Sequence, residues 1–117
     1  MARLSTHVLD TSRGAPAAGV VVELHRLHAG GRESIGAGVT NGDGRTDAPL
    51  LEGDRLPSGT YELVFHAGDY YRDAGIELAD PPFFERVVIR FGIASPEQHY
   101  HVPLLLAPYG YTTYRGS

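Results

Sequence analysis

Three places in this chain carry side chains suited to chemistry at neutral pH. His7 lies near the start. Arg45 directly follows the run Asn41-Gly42-Asp43-Gly44. The C-terminal stretch reads His99-Tyr100-His101 and ends Tyr114-Arg115-Gly116-Ser117. Imidazole titrates near neutrality, so each His can take or give a proton under ordinary conditions. Arginine offers a permanently charged planar fork that binds and polarises carbonyl oxygens. Tyr114 adds a phenolic donor. His99 and His101, with His7, would also match the ligand count of a catalytic zinc site. No carboxylate-rich surroundings accompany them, and the reading adopted is that no metal and no cofactor is used. Taken singly, each residue has a plainer reading: a solvated His on a half-exposed strand, an Arg on a turn.

Other catalytic patterns are excluded. The chain has no Gly-x-Ser-x-Gly elbow, no Cys nucleophile and no His-Glu-x-x-His. A phosphate cradle at Asn41–Gly44 fails, because no helix and no Lys-Ser/Thr pair follows. His25 and His28 have no metal-motif spacing with a third ligand and read as solvated, and His66 is likewise expected to lie outside the site.

Strands must position the candidates. Arg3 to Asp10 alternates, with Leu4, Thr6 and Val8 on one side and Ser5, His7 and Leu9 on the other. Residues 99–117 read as a hairpin turning at Pro108-Tyr109-Gly110. In its first arm His99, His101, Pro103 and Leu105 share a face, opposite the apolar Tyr100, Val102, Leu104 and Leu106. In its second arm Tyr114 falls on the face of Thr112 and Gly116, and Arg115 on the other, so Tyr114 is expected beside His101. Asn41–Gly44 is the tightest turn signal, with Arg45 expected on the rising edge of a short strand. Residues 19–28 and 33–40 form a further hairpin, with Gly36 and Gly38 marking a bulge. Residues 60–66 and 83–93 are strands, and 67–75 is the only helical segment.

At 117 residues the sequence reads as one domain, residues 1–117, long enough for one core without staples. Fifteen Gly and eight Pro among short apolar runs point to an all-β domain with many turns. The pattern predicts a two-sheet antiparallel β-sandwich with one short helix. A formal charge of −4 argues against a nucleic-acid partner. The first residues lack an apolar signal-like run, nothing reaches transmembrane length, and there is no Cys. A cytoplasmic protein without a membrane partner is therefore expected.

The stretch His99-Tyr100-His101-Val102-Pro103-Leu104-Leu105-Leu106, followed by the terminal Tyr114-Arg115-Gly116-Ser117, resembles the 5-hydroxyisourate hydrolases, the transthyretin-related enzymes of urate degradation. Leu4-Ser5-Thr6-His7-Val8-Leu9-Asp10 and Gly42-Asp43-Gly44-Arg45 resemble the family's other two motifs. Three motifs in the right order, over essentially the whole chain, are far more specific than any one of them. The resemblance implies a transthyretin (prealbumin)-like fold. It also implies a homotetramer, a dimer of dimers with active sites at the dimer–dimer interface. The implied reaction opens the cyclic amide of 5-hydroxyisourate to 2-oxo-4-hydroxy-4-carboxy-5-ureidoimidazoline, the precursor of allantoin. Carried over by motif, His7, Arg45, His101 and Tyr114 are the catalytic candidates. Arg115, Gly116 and Ser117 join His7, Arg45 and Tyr114 as substrate-binding candidates. Either His7 or His101 fits the general base, and the Ser117 carboxylate is expected to orient a His or Arg. Transthyretin itself lacks the terminal tetrapeptide and these His, which favours the enzyme over the carrier. The alternative is a transthyretin-like module that binds a small ligand without turning it over; a purely structural sandwich is disfavoured by the lack of any linker.

Overall fold

Alternation along the first strand sets the geometry of everything that follows. In a computed structural model describing residues Met1–Ser117, β1 (Ala2–Asp10) buries Leu4, Thr6 and Val8 and leaves Ser5, His7 and Leu9 half-exposed. The chain continues through β2 (Ala15–Pro16), β3 (Val21–His28), β4 (Gly31–Val39), β5 (Leu51–Gly53), β6 (Gly59–Phe65), α1 (Ala67–Asp73), β7 (Val87–Ile93), β8 (Tyr100–Ala107) and β9 (Gly110–Thr113). One sheet has the order β2-β1-β8-β9, with β5 also pairing β1; the other is β4-β3-β6-β7. A cluster of 22 buried residues forms the core, including Leu4, Val8, Leu63, Leu104 and Leu106. Burying each such side chain is worth about 1.5–3 kcal/mol. No helix is long and apolar enough to cross a membrane.

The sandwich and its single short helix agree with the sequence pattern. One pair departs from an all-antiparallel arrangement: β1 and β8 run parallel, Leu4 opposite Tyr100 through to Asp10 opposite Leu106. Antiparallel neighbours can be joined by a hairpin, whereas parallel ones need a long connection. Here β2 to β7 all intervene. On the core side Thr6 Oγ1 donates to the Val102 carbonyl at 2.7 Å, tying the two strands together.

The glycine-marked bulge is present. Leu24 pairs Gly36 but His25 pairs Ser34, leaving Ile35 extra on β4. At Gly36 a Cβ would come within 2.9 Å of the Leu50 carbonyl oxygen, so β4 lies directly under the 41–50 loop.

Three local expectations are corrected. Arg45 lies in a bend, not on a strand, because the turn that carries it docks side-on against β1. The strand expected from Phe83 begins only at Val87. Glu85 is tied to the helix instead: its carbonyl accepts from Gly68 N at 3.0 Å and its carboxylate pairs with Arg72. His25 is not solvated but 6% exposed, on central strand β3 between Ser34 of β4 and Glu62 of β6. Its Nε2 meets Glu23 at 3.0 Å, and His66 bonds the other oxygen of the same carboxylate.

Candidate active site

Arg3, Ser5 and His7 alternate out of β1, away from the core. The parallel register sets Ser5 directly opposite His101 on β8. Ser5 Oγ and His101 Nδ1 are hydrogen-bonded at 2.8 Å. His7 lies one outward position further along, opposite Pro103. Its Nε2 bonds the Asp43 carbonyl at 2.8 Å. A carbonyl only accepts, so Nε2 carries a proton and the neutral ring has its lone pair on Nδ1.

Asn41–Gly44 brings Arg45 to this face. Asn41 Oδ1 accepts from the amides of Asp43 (2.9 Å) and Arg45 (3.3 Å), an Asx-type closure typical of such turns. Gly44 has φ +79°, a left-handed conformation that glycine adopts without penalty. It sits against β1, its carbonyl accepting from Val8 N at 2.8 Å.

Arg45 and His101 line one cavity of about 360 Å³ with Arg3, Ser5, His99, Tyr100 and Ser117. An adjoining hollow of about 290 Å³ shares Arg3, Ser5 and Arg45. Neither Arg3 nor Arg45 is among the arginines paired with an Asp or Glu side chain, so both guanidiniums are free for a ligand. Burial holds the His101 imidazole below its usual pKa, and the charges of Arg45 and His7 push the same way. A neutral ring at neutral pH is the form that accepts a proton. No three His, Cys, Asp or Glu side chains are grouped so as to hold a metal ion, and His7, His99 and His101 form no such set.

The tetrapeptide divides between two places. Gly116 N donates to the His101 carbonyl at 2.8 Å, and Ser117 borders the cavity. Tyr114 and Arg115 instead border a groove of about 310 Å³ with Ile89, Phe91 and Val102. Arg115 stacks over the Tyr100 ring at 4.3 Å and bonds Gln98 Oε1 at 3.0 Å. Tyr114 is 58% exposed and does not line the His101 cavity within this chain. Regular pairing of β9 stops at Thr113, so residues 114 and 115 lie outside the ladder before Gly116 rejoins it in the same register. Arg3 and Ser5 carry no catalytic signature in the sequence. Their signal was the alternation they share with His7; what was missing was the parallel pairing that sets Ser5 against His101.

The family model described as "HIUase/Transthyretin family" matches residues 4–116. A "5-hydroxyisourate hydrolase 2" from Rhizobium meliloti is 61% identical over 115 residues, covering 98% of this chain and 96% of its own. The structure of Klebsiella pneumoniae 5-hydroxyisourate hydrolase superposes with a TM-score of 0.83 at 43% identity, covering 100% of both chains. The crystal structure of (S)-allantoin synthase superposes with a TM-score of 0.92 at 42% identity, covering 99% of this chain but 44% of that longer one.

Proposed function

This chain belongs to the HIUase/transthyretin family, and from that premise we propose that it is a 5-hydroxyisourate hydrolase. It opens the cyclic amide of 5-hydroxyisourate with water to give 2-oxo-4-hydroxy-4-carboxy-5-ureidoimidazoline, a step of urate degradation to allantoin. The observation that supports this reading best is the meeting of Arg45 and His101 in one cavity, where burial pushes the imidazole pKa down.

The proposed sequence uses these groups in turn. His101 takes a proton from water as its oxygen bonds to the amide carbon. Arg45 holds the carbonyl oxygen and the negative charge that develops on it. The carbon–nitrogen bond then breaks, and the ring nitrogen takes the proton from the imidazolium. The new carboxylic acid ionises beside the guanidiniums. His7, fixed through Nε2 to the 41–44 turn, stands one outward position beyond Ser5 on β1 and does not line this cavity within the single chain, so its part in catalysis is assigned to the assembled protein. Ser117 closes the cavity at the chain end, anchored by the Gly116 amide on the His101 carbonyl.

The whole chain, residues 1–117, acts in this reading as one transthyretin-like domain within a homotetramer, a dimer of dimers with sites at the dimer–dimer interface. Open edges favour it: β7 and β9 end their sheets beside one groove, and unpaired edges are templates for further pairing. Tyr114 and Arg115 border that groove, and their part in substrate binding is assigned to the assembled protein. A cytoplasmic location belongs to the same proposal; without Cys, the fold needs no oxidising compartment. The test is ultraviolet absorbance of freshly generated 5-hydroxyisourate with and without the protein. Faster decay with it supports the reading, and an unchanged rate removes it.

A further inference from the structure

The His101 ring is held from two sides. On one, Ser5 Oγ lies 2.8 Å from Nδ1. On the other, Gly116 packs against the ring edge. A Cβ built on Gly116 would come within 2.5 Å of His101 Cδ2 and 3.2 Å of Cγ. Gly116 is not among the glycines with positive φ, so no backbone conformation demands glycine there. The demand is for space, and His101 fills it. Ser5 and Gly116 belong to motifs at opposite ends of the chain, and both reach the His101 ring because β1 and β8 run parallel and Gly116 bridges His101.

We propose that Ser5 and Gly116 are positioning residues for His101: Ser5 accepts the Nδ1 proton and Gly116 seats the ring, so that Nε2 is the bare nitrogen presented to the cavity. The chemistry follows from the two ring nitrogens. A neutral imidazole carries one proton, and the partner of one nitrogen decides where it sits. A serine hydroxyl accepts as readily as it donates. With Nδ1–H directed at Ser5 Oγ, the lone pair of Nε2 is free for water. The Ser5 hydroxyl proton is then free to donate into the cavity that Ser5 also lines. The glycine of the terminal tetrapeptide thereby acquires a function distinct from substrate contact. This inference rests on His101 being the proton acceptor of the proposed hydrolysis.

The test pairs nitrogen-15 NMR of the histidine rings in the substrate-free protein with kinetics on Ser5→Ala, Ser5→Thr and Gly116→Ala, the His101 signals being identified with His101→Gln. The wild type is expected to show the Nδ1-protonated tautomer at His101, with Ser5→Ala shifting it toward Nε2-protonated. In Ser5→Ala, kcat should fall about ten- to a hundredfold, the scale on which partners that orient a working imidazole act, with KM little changed. Ser5→Thr, which keeps the hydroxyl, should restore most of it. Gly116→Ala should move the His101 ring signals and lower kcat while the melting temperature stays near wild type. An Nε2-protonated His101 in the wild type, or full kcat in Ser5→Ala, would overturn the proposal. A wild type that does not hydrolyse 5-hydroxyisourate would remove the functional reading instead, and the tautomer measurement would still decide the role of Ser5.

Discussion

Gly44 accepts the amide proton of Val8 at 2.8 Å, and a Cβ on Gly44 would come within 2.3 Å of the Val8 carbonyl oxygen. This contact fixes the turn against the strand that carries His7 and Ser5. It therefore sets where Arg45 stands relative to His101. The turn signal was visible in the sequence; the docking that gives it meaning depends on β1 passing beside it.

Gly44→Ala is expected to displace the turn. A left-handed φ costs a non-glycine residue about 1–2 kcal/mol, and the clash with Val8 adds to it. The fold should survive with a lowered melting temperature, and kcat/KM should fall more than the stability loss explains. Thermal melting beside steady-state kinetics checks this; unaltered turnover would separate Arg45 from the turn's geometry.

His101→Ala and Arg45→Ala should each lower kcat/KM by about 100- to 10,000-fold, the usual effect of removing a positioned acid–base or charge-stabilising group. His7→Ala should lower it too. His28→Ala is the control, since His28 is exposed and pairs only with Glu33 on the neighbouring strand. His25→Ala is no such control: it empties a buried site and should reduce stability with little effect on chemistry. Circular dichroism and turnover measured on the same preparations separate the two kinds of loss.

The pH dependence has a definite sign. Burial, then Arg45 and His7, hold His101 below the usual imidazole range near 6.5. If His101 is the base, as proposed, it stays unprotonated through neutrality, and kcat/KM should fall with acid only below about 6.5. A group whose pKa is lowered on folding contributes stability that is lost as pH falls through its folded value. Arg45→Gln removes one depressing charge, so the acid limb of its residual activity should move to higher pH. A limb that stays in place would mean that Arg45 does not act on His101.

Exhaustive chelation should leave turnover unchanged, because an imidazole and a guanidinium suffice to deprotonate water and polarise an amide. Loss of activity with EDTA, restored by zinc, would make His7, His99 and His101 ligands and reassign the chemistry. Dialysis against EDTA followed by assay and metal add-back decides it.

How much of this was legible in the sequence differs by level. Period-two alternation gave β1 and β8 their inner and outer faces, and Pro108-Tyr109 gave the hairpin its turn, because both are local properties of the chain. The burial of His25 was not legible, because it depends on β3 being central in its sheet. The place of Arg3 and Ser5 was not legible for a similar reason: only the parallel β1–β8 pairing, closed across most of the chain, sets Ser5 opposite His101. Tyr114 was placed beside His101 by extending strand alternation past Thr113, where regular pairing stops. The motifs named His7, Arg45 and His101, while their relative placement came from tertiary contacts that no local window contains.

The most direct test of the hydrolase reading is the ultraviolet decay of freshly generated 5-hydroxyisourate, followed with wild-type protein, with His101→Ala, and without protein. Hydrolysis at the His101–Arg45 cavity predicts rapid loss of the substrate band with the wild type and decay near the spontaneous rate with His101→Ala. Spontaneous-rate decay with folded wild-type protein would contradict hydrolysis altogether, and wild-type decay with His101→Ala would place the chemistry elsewhere.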